Sequence, residues 1–412
     1  MTDTATPTPA PVNESQRVKS LDVMRGFAVL GILVVNAAFF AAPWQTSQNP
    51  LLPPLDVNEQ TMWSWFVMHV FFEFKCITLF SILFGASIYM VGGERSDKAR
   101  GAILRRRLFW LLVIGLIHAT LIWFGDILVT YALTGFLVLF ARSWRPGTLV
   151  TVGVLLYLLS FAMQASFGLF EAYIPADQLA EMKTQMFAPS DESISQVIAA
   201  YQGGLASATA QNASTWANFF FMAIFGLILR TAAVMMIGMA LFKWGFLSGN
   251  ARPWLYGLML ALGAAALAVI AYQASINWNA GYPFAHMMSR GNLANTAFSI
   301  FVSIGYASLF VLLVKLGWRL ITEPLAAVGR MAFTNYLTQS IIMTTIFWSG
   351  RGFGLYGEVD RPTLMAIVLA IWALQLIWSP LWLSRFSMGP LEWVWRRLSY
   401  GRPVSMAKVQ PA

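Results

Sequence analysis

A short set of ionisable side chains lies inside or at the edge of long apolar runs: Asp22, Arg25, His69, Glu73, Lys75, His118, Asp126 and Arg230. Charge is costly in a bilayer, so each is a candidate for function. His69 and Glu73 stand four apart and share a helical face. A carboxylate that orients an imidazole is the working unit of general-base catalysis, and is equally an ordinary bond within a helix. His118 and Asp126 offer a second such pair, which would line an outward cavity beside Tyr131, His118 as the proton acceptor and Asp126 as its orienting acid. The plainer account of Asp126 is a cap on the helix that follows Gly125-Asp126.

Asp22 and Arg25 are three apart and can pair at the mouth of the first helix. In the sharper reading Arg25 holds a phosphate or carboxylate. Arg230 has no charged residue for more than ten positions on either side. It must find a carboxylate on another helix, backbone carbonyls, water or a bound anion. Asn36, Asn335 and Gln339, uncharged polar residues in apolar runs, join Asp22, Arg25 and Arg230 as substrate-binding candidates. His118, Asp126, His69 and Glu73 are the catalytic candidates.

Other patterns carry little. Gly352 to Gly357 matches GxGxxG but follows an apolar helix rather than a strand, so it reads as an outer loop. Three histidines and one cysteine at unrelated positions give no metal spacing. The lone Cys76 allows no intrachain disulfide. No Walker A pattern occurs, and Asn212-Ala-Ser214 is a glycosylation sequon in form only.

The elements that must position these groups follow from composition. The 412 residues are 58% hydrophobic and only 11% charged, against about 25% charged in an ordinary soluble domain. That excludes a soluble enzyme, a disordered chain and a disulfide scaffold, and leaves an all-α, polytopic membrane bundle. One crossing takes roughly 20 residues. Candidate spans fall at about 23–42, 62–92, 108–124, 127–141, 147–170, 217–242, 253–275, 295–314, 331–349 and 363–383. The second is too long for one straight helix and carries Glu73 and Lys75, so it is expected to be broken or partly interfacial.

The positive-inside rule orients this set. With both termini cytoplasmic, most of the 27 Lys and Arg fall on inner segments, and only Lys183, Arg290, Arg351 and Arg361 on outer loops. The net charge of +9 is therefore a topology signal, and no nucleic acid is expected. The run Arg95–Arg107 reads as an anchor on anionic lipid, or as a cradle for a nucleotide-bearing acyl donor. Residues 1–20 read as a disordered tail, 21–170 as one helical half, 171–215 as an outer loop, 216–401 as a second half and 402–412 as a tail. Within the loop, 191–202 reads as a short amphipathic helix capped by Asp191 or Ser193, with Ile194, Val197, Ile198 and Tyr201 on one face.

Several blocks carry a family resemblance. RVKSLDVMRGFAVLGILVVN (Arg17–Asn36), FKCITLFSILFGASI (Phe74–Ile88), RRRLFWLLVIGLIHATLIWFGDILVTYALTG (Arg105–Gly135), GRMAFTNYLTQSII (Gly329–Ile342) and GPLEWVWRRLSYG (Gly389–Gly401) resemble the YeiB-like family of bacterial inner-membrane proteins, the domain-of-unknown-function 418 group. The N-terminal half looks like the membrane acyltransferase superfamily that includes heparan-α-glucosaminide N-acetyltransferase. The shared LDxxRG start maps to Leu21, Asp22, Arg25 and Gly26, which implies that Arg25 faces a substrate channel.

That resemblance implies an inner-membrane enzyme moving an acyl group from cytoplasmic acyl-CoA to an envelope glycan or lipid acceptor. No bound cofactor is expected; acyl-CoA is a co-substrate. Arg25 would serve the donor, and His118 with Asp126 the chemistry from the outer side. The lysosomal enzyme has a histidine shortly after its first helix, where this chain reads NAAFFAAPWQ (Asn36–Gln45). The base must therefore be His118 with Asp126, or His69 with Glu73. The competing reading is a permease for a small anionic or amphipathic solute, with Arg230 at its site.

Overall fold

A computed structural model describes residues 18–55 and 57–408. The expected tail over residues 1–16, together with Arg17, Asp56 and residues 409–412, lies outside the described residues. Those described form a polytopic helical bundle without a strand.

The first helix, α1 (Lys19–Ala41), is followed by α2 (Glu59–Val67), a π-helical turn Met68–Phe72, and α3 (Lys75–Gly92). Next come α4 (Lys98–Ile117), a second π turn His118–Ile122, α5 (Leu128–Val138) and α6 (Pro146–Phe170). Two short helices, α7 (Ala176–Met186) and α8 (Asp191–Gln202), lead to the long α9 (Leu205–Lys243). Then follow α10 (Pro253–Asn279), the single turn α11 (Phe284–His286) with a third π turn, α12 (Leu293–Lys315), α13 (Arg319–Arg330), α14 (Ala332–Phe347), α15 (Arg361–Arg385) and α16 (Pro390–Tyr400).

Local chemistry sets many of these ends. Asn58, Asp97 and Asp360 accept hydrogen bonds from backbone N–H groups three residues on, and proline opens α6, α10, α15 and α16. The amphipathic helix over 191–202 is present, but its cap is Ser190 rather than Asp191 or Ser193.

Every sequence-predicted span falls on a helix. Among the described residues, seven helices are long and apolar enough to cross a bilayer. The rest are shorter or more polar: α4 opens with Lys98, Arg100 and Arg105–Arg107, α5 is a short apolar helix, and α14 carries Asn335 and Gln339. The second span is broken, as expected, at Glu73 and Phe74.

The loops gather at two ends. At one, Gly357 N–H donates to Ala41 O, Ser349 N–H to Tyr201 O, and Arg361 to Thr46 O. This end carries Lys183, Arg290, Arg351 and Arg361. At the other, Ser20 donates to Leu247 O, Lys243 to Arg142 O, and Trp395 to Arg107 O. The start of α1 and all of α16 lie at this second, basic end.

Helices cross closely where glycine allows it. A Cβ at Gly26 would lie 2.0 Å from Leu325 O, and one at Gly329 only 1.8 Å from Asp22 O. α1 and α13 therefore touch backbone to backbone. Gly85 and Gly238 do the same for α3 and α9.

Two features correct or extend the sequence reading. Asn212, the sequon residue, is fully buried on α9, where its amide donates to Ala119 O and Thr120 O at 2.9 Å each. Such a side chain closes the end of a neighbouring helix and offers no acceptor for a glycan. Glu392 of α16 reaches the start of α14, where its carboxylate accepts from Phe333 N–H, Thr334 N–H and Thr334 Oγ1. Burial pushes its carboxyl above the ordinary range, against the pull of these donors. Glu392→Ala leaves the donors unmet and is expected to cost about 1–3 kcal/mol, read as a lowered unfolding midpoint.

Candidate functional site

The bundle encloses a cavity of about 390 Å³. Its walls come from α1, the break between α2 and α3, the segment Trp123–Thr130, and α9. On α9 the lining residues Trp216, Phe220, Ile224, Leu227, Arg230 and Val234 recur at three and four, one face of a helix. The wall reaches Ser47, Gln48 and Gly125, loop residues of the end poor in Lys and Arg.

The break makes the polar floor. After the π turn, Glu73 is extended and Phe74 adopts φ 62°, a left-handed backbone that non-glycine residues seldom take. The helix axis is interrupted there, and Glu73 faces the cavity. Its Oε2 lies 2.5 Å from His69 Nδ1. Trp65 stacks on the His69 ring at 4.6 Å between centroids, so the imidazole is buried behind the carboxylate. Lys75, fully buried, donates to His69 O and Asn295 Oδ1, both at 2.6 Å. Asn295 Nδ2 donates in turn to Glu73 Oε2 at 3.4 Å.

Arg230 also faces the cavity. It donates to Ser299 Oγ at 2.8 Å, and its guanidinium lies 4.6 Å from the Phe74 ring and 5.5 Å from the Tyr157 ring. Asn295, Ser299 and Ser303 form a polar stripe at four-residue steps on α12, and Ser303 donates to Lys75 O. The sequence reading missed this stripe. Its signal was the regular recurrence of small polar residues on an otherwise apolar helix.

The second imidazole–carboxylate pair is more fully committed. Asp126 Oδ1 lies 2.8 Å from His118 Nδ1, and Oδ2 accepts from Val129 N–H at 2.7 Å. His118 Nε2 lies 2.9 Å from Ser340 Oγ. Asp126 touches the cavity, yet both its oxygens are in use and His118 is buried behind it. Tyr131 does not join them; its hydroxyl bonds Ser81 Oγ and Ile77 O. Asp126→Ala is expected to cost about 1–2 kcal/mol for the cap alone, with more for the orphaned His118. Thermal unfolding measures it.

Asn36 thus shares the cavity with Glu73, Asp126 and Arg230, with His69 and His118 just behind. The remaining candidates lie elsewhere. Asp22 and Arg25 pair at 2.8 Å at the basic end. Asn335 and Gln339 are buried in a network of their own. Gln339 donates to Gln375 Oε1, Gln375 to Asn335 O, and Trp378 to Asn335 Oδ1, which ties α14 to α15. Among the described residues, no cluster of His, Cys, Asp and Glu could hold a metal ion.

Comparison with known proteins places the chain in a family. The chain is 33% identical to the uncharacterised protein YxaH of Bacillus subtilis (strain 168), over 95% of its own length and 96% of that relative. It is 32% identical to the uncharacterised protein YeiB of Escherichia coli (strain K12), over 93% and 96%. Residues 241–402 match the family model described as a protein of unknown function, DUF418. The chain belongs to the YeiB-like DUF418 family. A 39.9 kDa protein of Bacillus acidopullulyticus is similar at 28% identity over 97% of the chain. No solved structure matches the chain. The cavity-lining residues of this YeiB-like protein all precede the matched stretch, whereas Asn295, Ser299 and Ser340, which back them, fall within it.

Proposed function

We propose that the protein is a membrane acyltransferase whose reaction centre is the floor of this cavity. It would move an acyl group from a thioester such as acyl-CoA to a hydroxyl or amine of an envelope or lipid-linked acceptor. The observation that carries this reading is Glu73, backed by His69 at 2.5 Å, facing a space with mostly apolar walls. An acyl chain belongs in such a space, and a carboxylate at its floor is placed to take a proton.

In this reading the acceptor oxygen or nitrogen attacks the acyl carbonyl carbon as Glu73 removes its proton. The collapsing tetrahedral species expels the thiolate, and Glu73 returns the proton to sulfur. The Asn36 amide, on α1, offers a donor to the oxyanion. His69 orients the carboxylate and is a positioning residue. The cavity suits the acyl chain and the reacting ends. It reaches the end poor in Lys and Arg, so the bulk of a CoA donor would remain outside it on that side rather than at the basic end expected to be cytoplasmic. Asp22 and Arg25, paired at the basic end, take no part in this centre.

A second reading is favoured by the helix break. Interrupted helices beside buried charge are a hallmark of transport sites, and the Glu73–Phe74 break lies beside Lys75 and Arg230. The test is the purified protein in liposomes with radiolabelled acyl-CoA and an envelope extract as acceptor. Label should move to the lipid or glycan fraction, and His69→Ala should slow this and shift its pH profile. No label transfer at any chain length, with uptake of amphipathic anions into the liposomes, would replace this reading with transport.

A further inference from the structure

Arg230 has more capacity than its surroundings use. A guanidinium presents five N–H donors, and the protein partners of this one are Ser299 Oγ and two ring faces. No carboxylate lies within ion-pair distance of it among the described residues. Glu73, on the same wall, is held by His69 and Asn295. Lys75 donates only to neutral oxygens, of His69 and Asn295. The floor therefore sets two basic side chains, Lys75 and Arg230, beside one carboxylate, inside helices apolar enough to cross a bilayer. A guanidinium keeps its charge, and one that faces a cavity with no carboxylate in contact has donors left for an anion.

The same helix says what the anion is attached to. From Arg230, the stripe Leu227, Ile224, Phe220 and Trp216 lines the cavity away from the floor. It carries no charge, and Leu227 is partly exposed. We propose that the cavity binds an amphipathic anion, with a carboxylate or phosphate head on Arg230 and an apolar chain along this stripe of α9. Two parallel N–H···O bonds from one guanidinium suit either head. The proposal names the substrate class of the site assigned above and rests on that reading for its reacting end near Glu73.

The experiment reads binding without turnover. The full-length protein in phosphatidylcholine nanodiscs is titrated with dodecyl phosphate, laurate, dodecanol and inorganic phosphate, and tryptophan fluorescence is followed. Trp123 and Trp216 line the cavity and report occupancy. Dodecyl phosphate or laurate should bind at least about tenfold more tightly than dodecanol, as loss of a charged hydrogen-bonded contact implies. Arg230→Gln should erase that preference, and Arg230→Lys should keep part of it.

Equal affinity for dodecanol and both anions in the unaltered protein overturns the proposal, and needs no variant to fold. Inorganic phosphate binding as tightly as dodecyl phosphate overturns it too, since the chain would then contribute nothing. So does an anion preference that survives Arg230→Gln. Selective binding of the amphipathic anions with no acyl transfer would leave this inference standing while the acyltransferase reading fails.

Discussion

Glu73→Gln is expected to lower acyl transfer by about 10²–10⁴-fold, the loss that follows removal of a general base. Glutamine has nearly the same shape and can keep its contacts with His69 and Asn295, so folding should hold. The substitution removes only the capacity to take a proton. Single-turnover rates on preloaded acyl donor are the direct measurement, with the unfolding midpoint as control. Asp126→Asn is the contrasting variant: both Asp126 oxygens already serve His118 and the start of α5, and asparagine still caps. It should keep most of the activity. If Glu73→Gln retains full activity while Asp126→Asn loses it, the reaction centre lies at the other imidazole–carboxylate pair.

Gly329→Val is expected to remove more than about 3 kcal/mol of stability, at or beyond the upper end of ordinary overpacking. A Cβ at this position would meet Asp22 O at 1.8 Å, and the obstacle is backbone, which cannot rotate away. Helix α13 would have to leave α1. Because α1 also carries Asn36 into the cavity wall, function should fail with the fold. The measurement is the yield of monodisperse protein and its unfolding midpoint. Gly257→Ala is the control. A Cβ at Gly257 meets nothing within 4 Å, so alanine there should be neutral or slightly stabilising. Equal behaviour of the two variants would show that close helix contact is not what glycine secures at Gly329.

Much of the architecture was legible in the chain. Long apolar runs mark helices because a bilayer admits little else. The asymmetry of Lys and Arg foretells which loops share an end, and the loops do group that way. Local pairs were visible for the same reason: His69 with Glu73 and Asp22 with Arg25 are three or four residues apart, a spacing that any α-helix brings onto one face. Helices α7, α13 and α16 went unread because they lie outside the apolar runs. Their short sequences mix polar and apolar residues, and look like loop when membrane insertion is the signal followed.

The composition of the site was less legible. The sequence by itself determined that a few charges lie where lipid should exclude them, since their cost depends only on depth in the apolar run. It also determined that Glu73 carries a histidine. Only the tertiary structure decided that Arg230, Glu73, Asp126 and Asn36 share one cavity, while Arg25, Asn335 and Gln339 face elsewhere. Lys75 meets Asn295 across 220 residues of chain, and Arg230 meets Ser299 across 69. Such meetings follow from how each helix is rotated against its neighbours and from the break at Phe74. Lipid-facing and cavity-facing positions share the same apolar composition, so hydropathy cannot tell them apart; close packing at glycine crossings and the buried polar partners select the rotation.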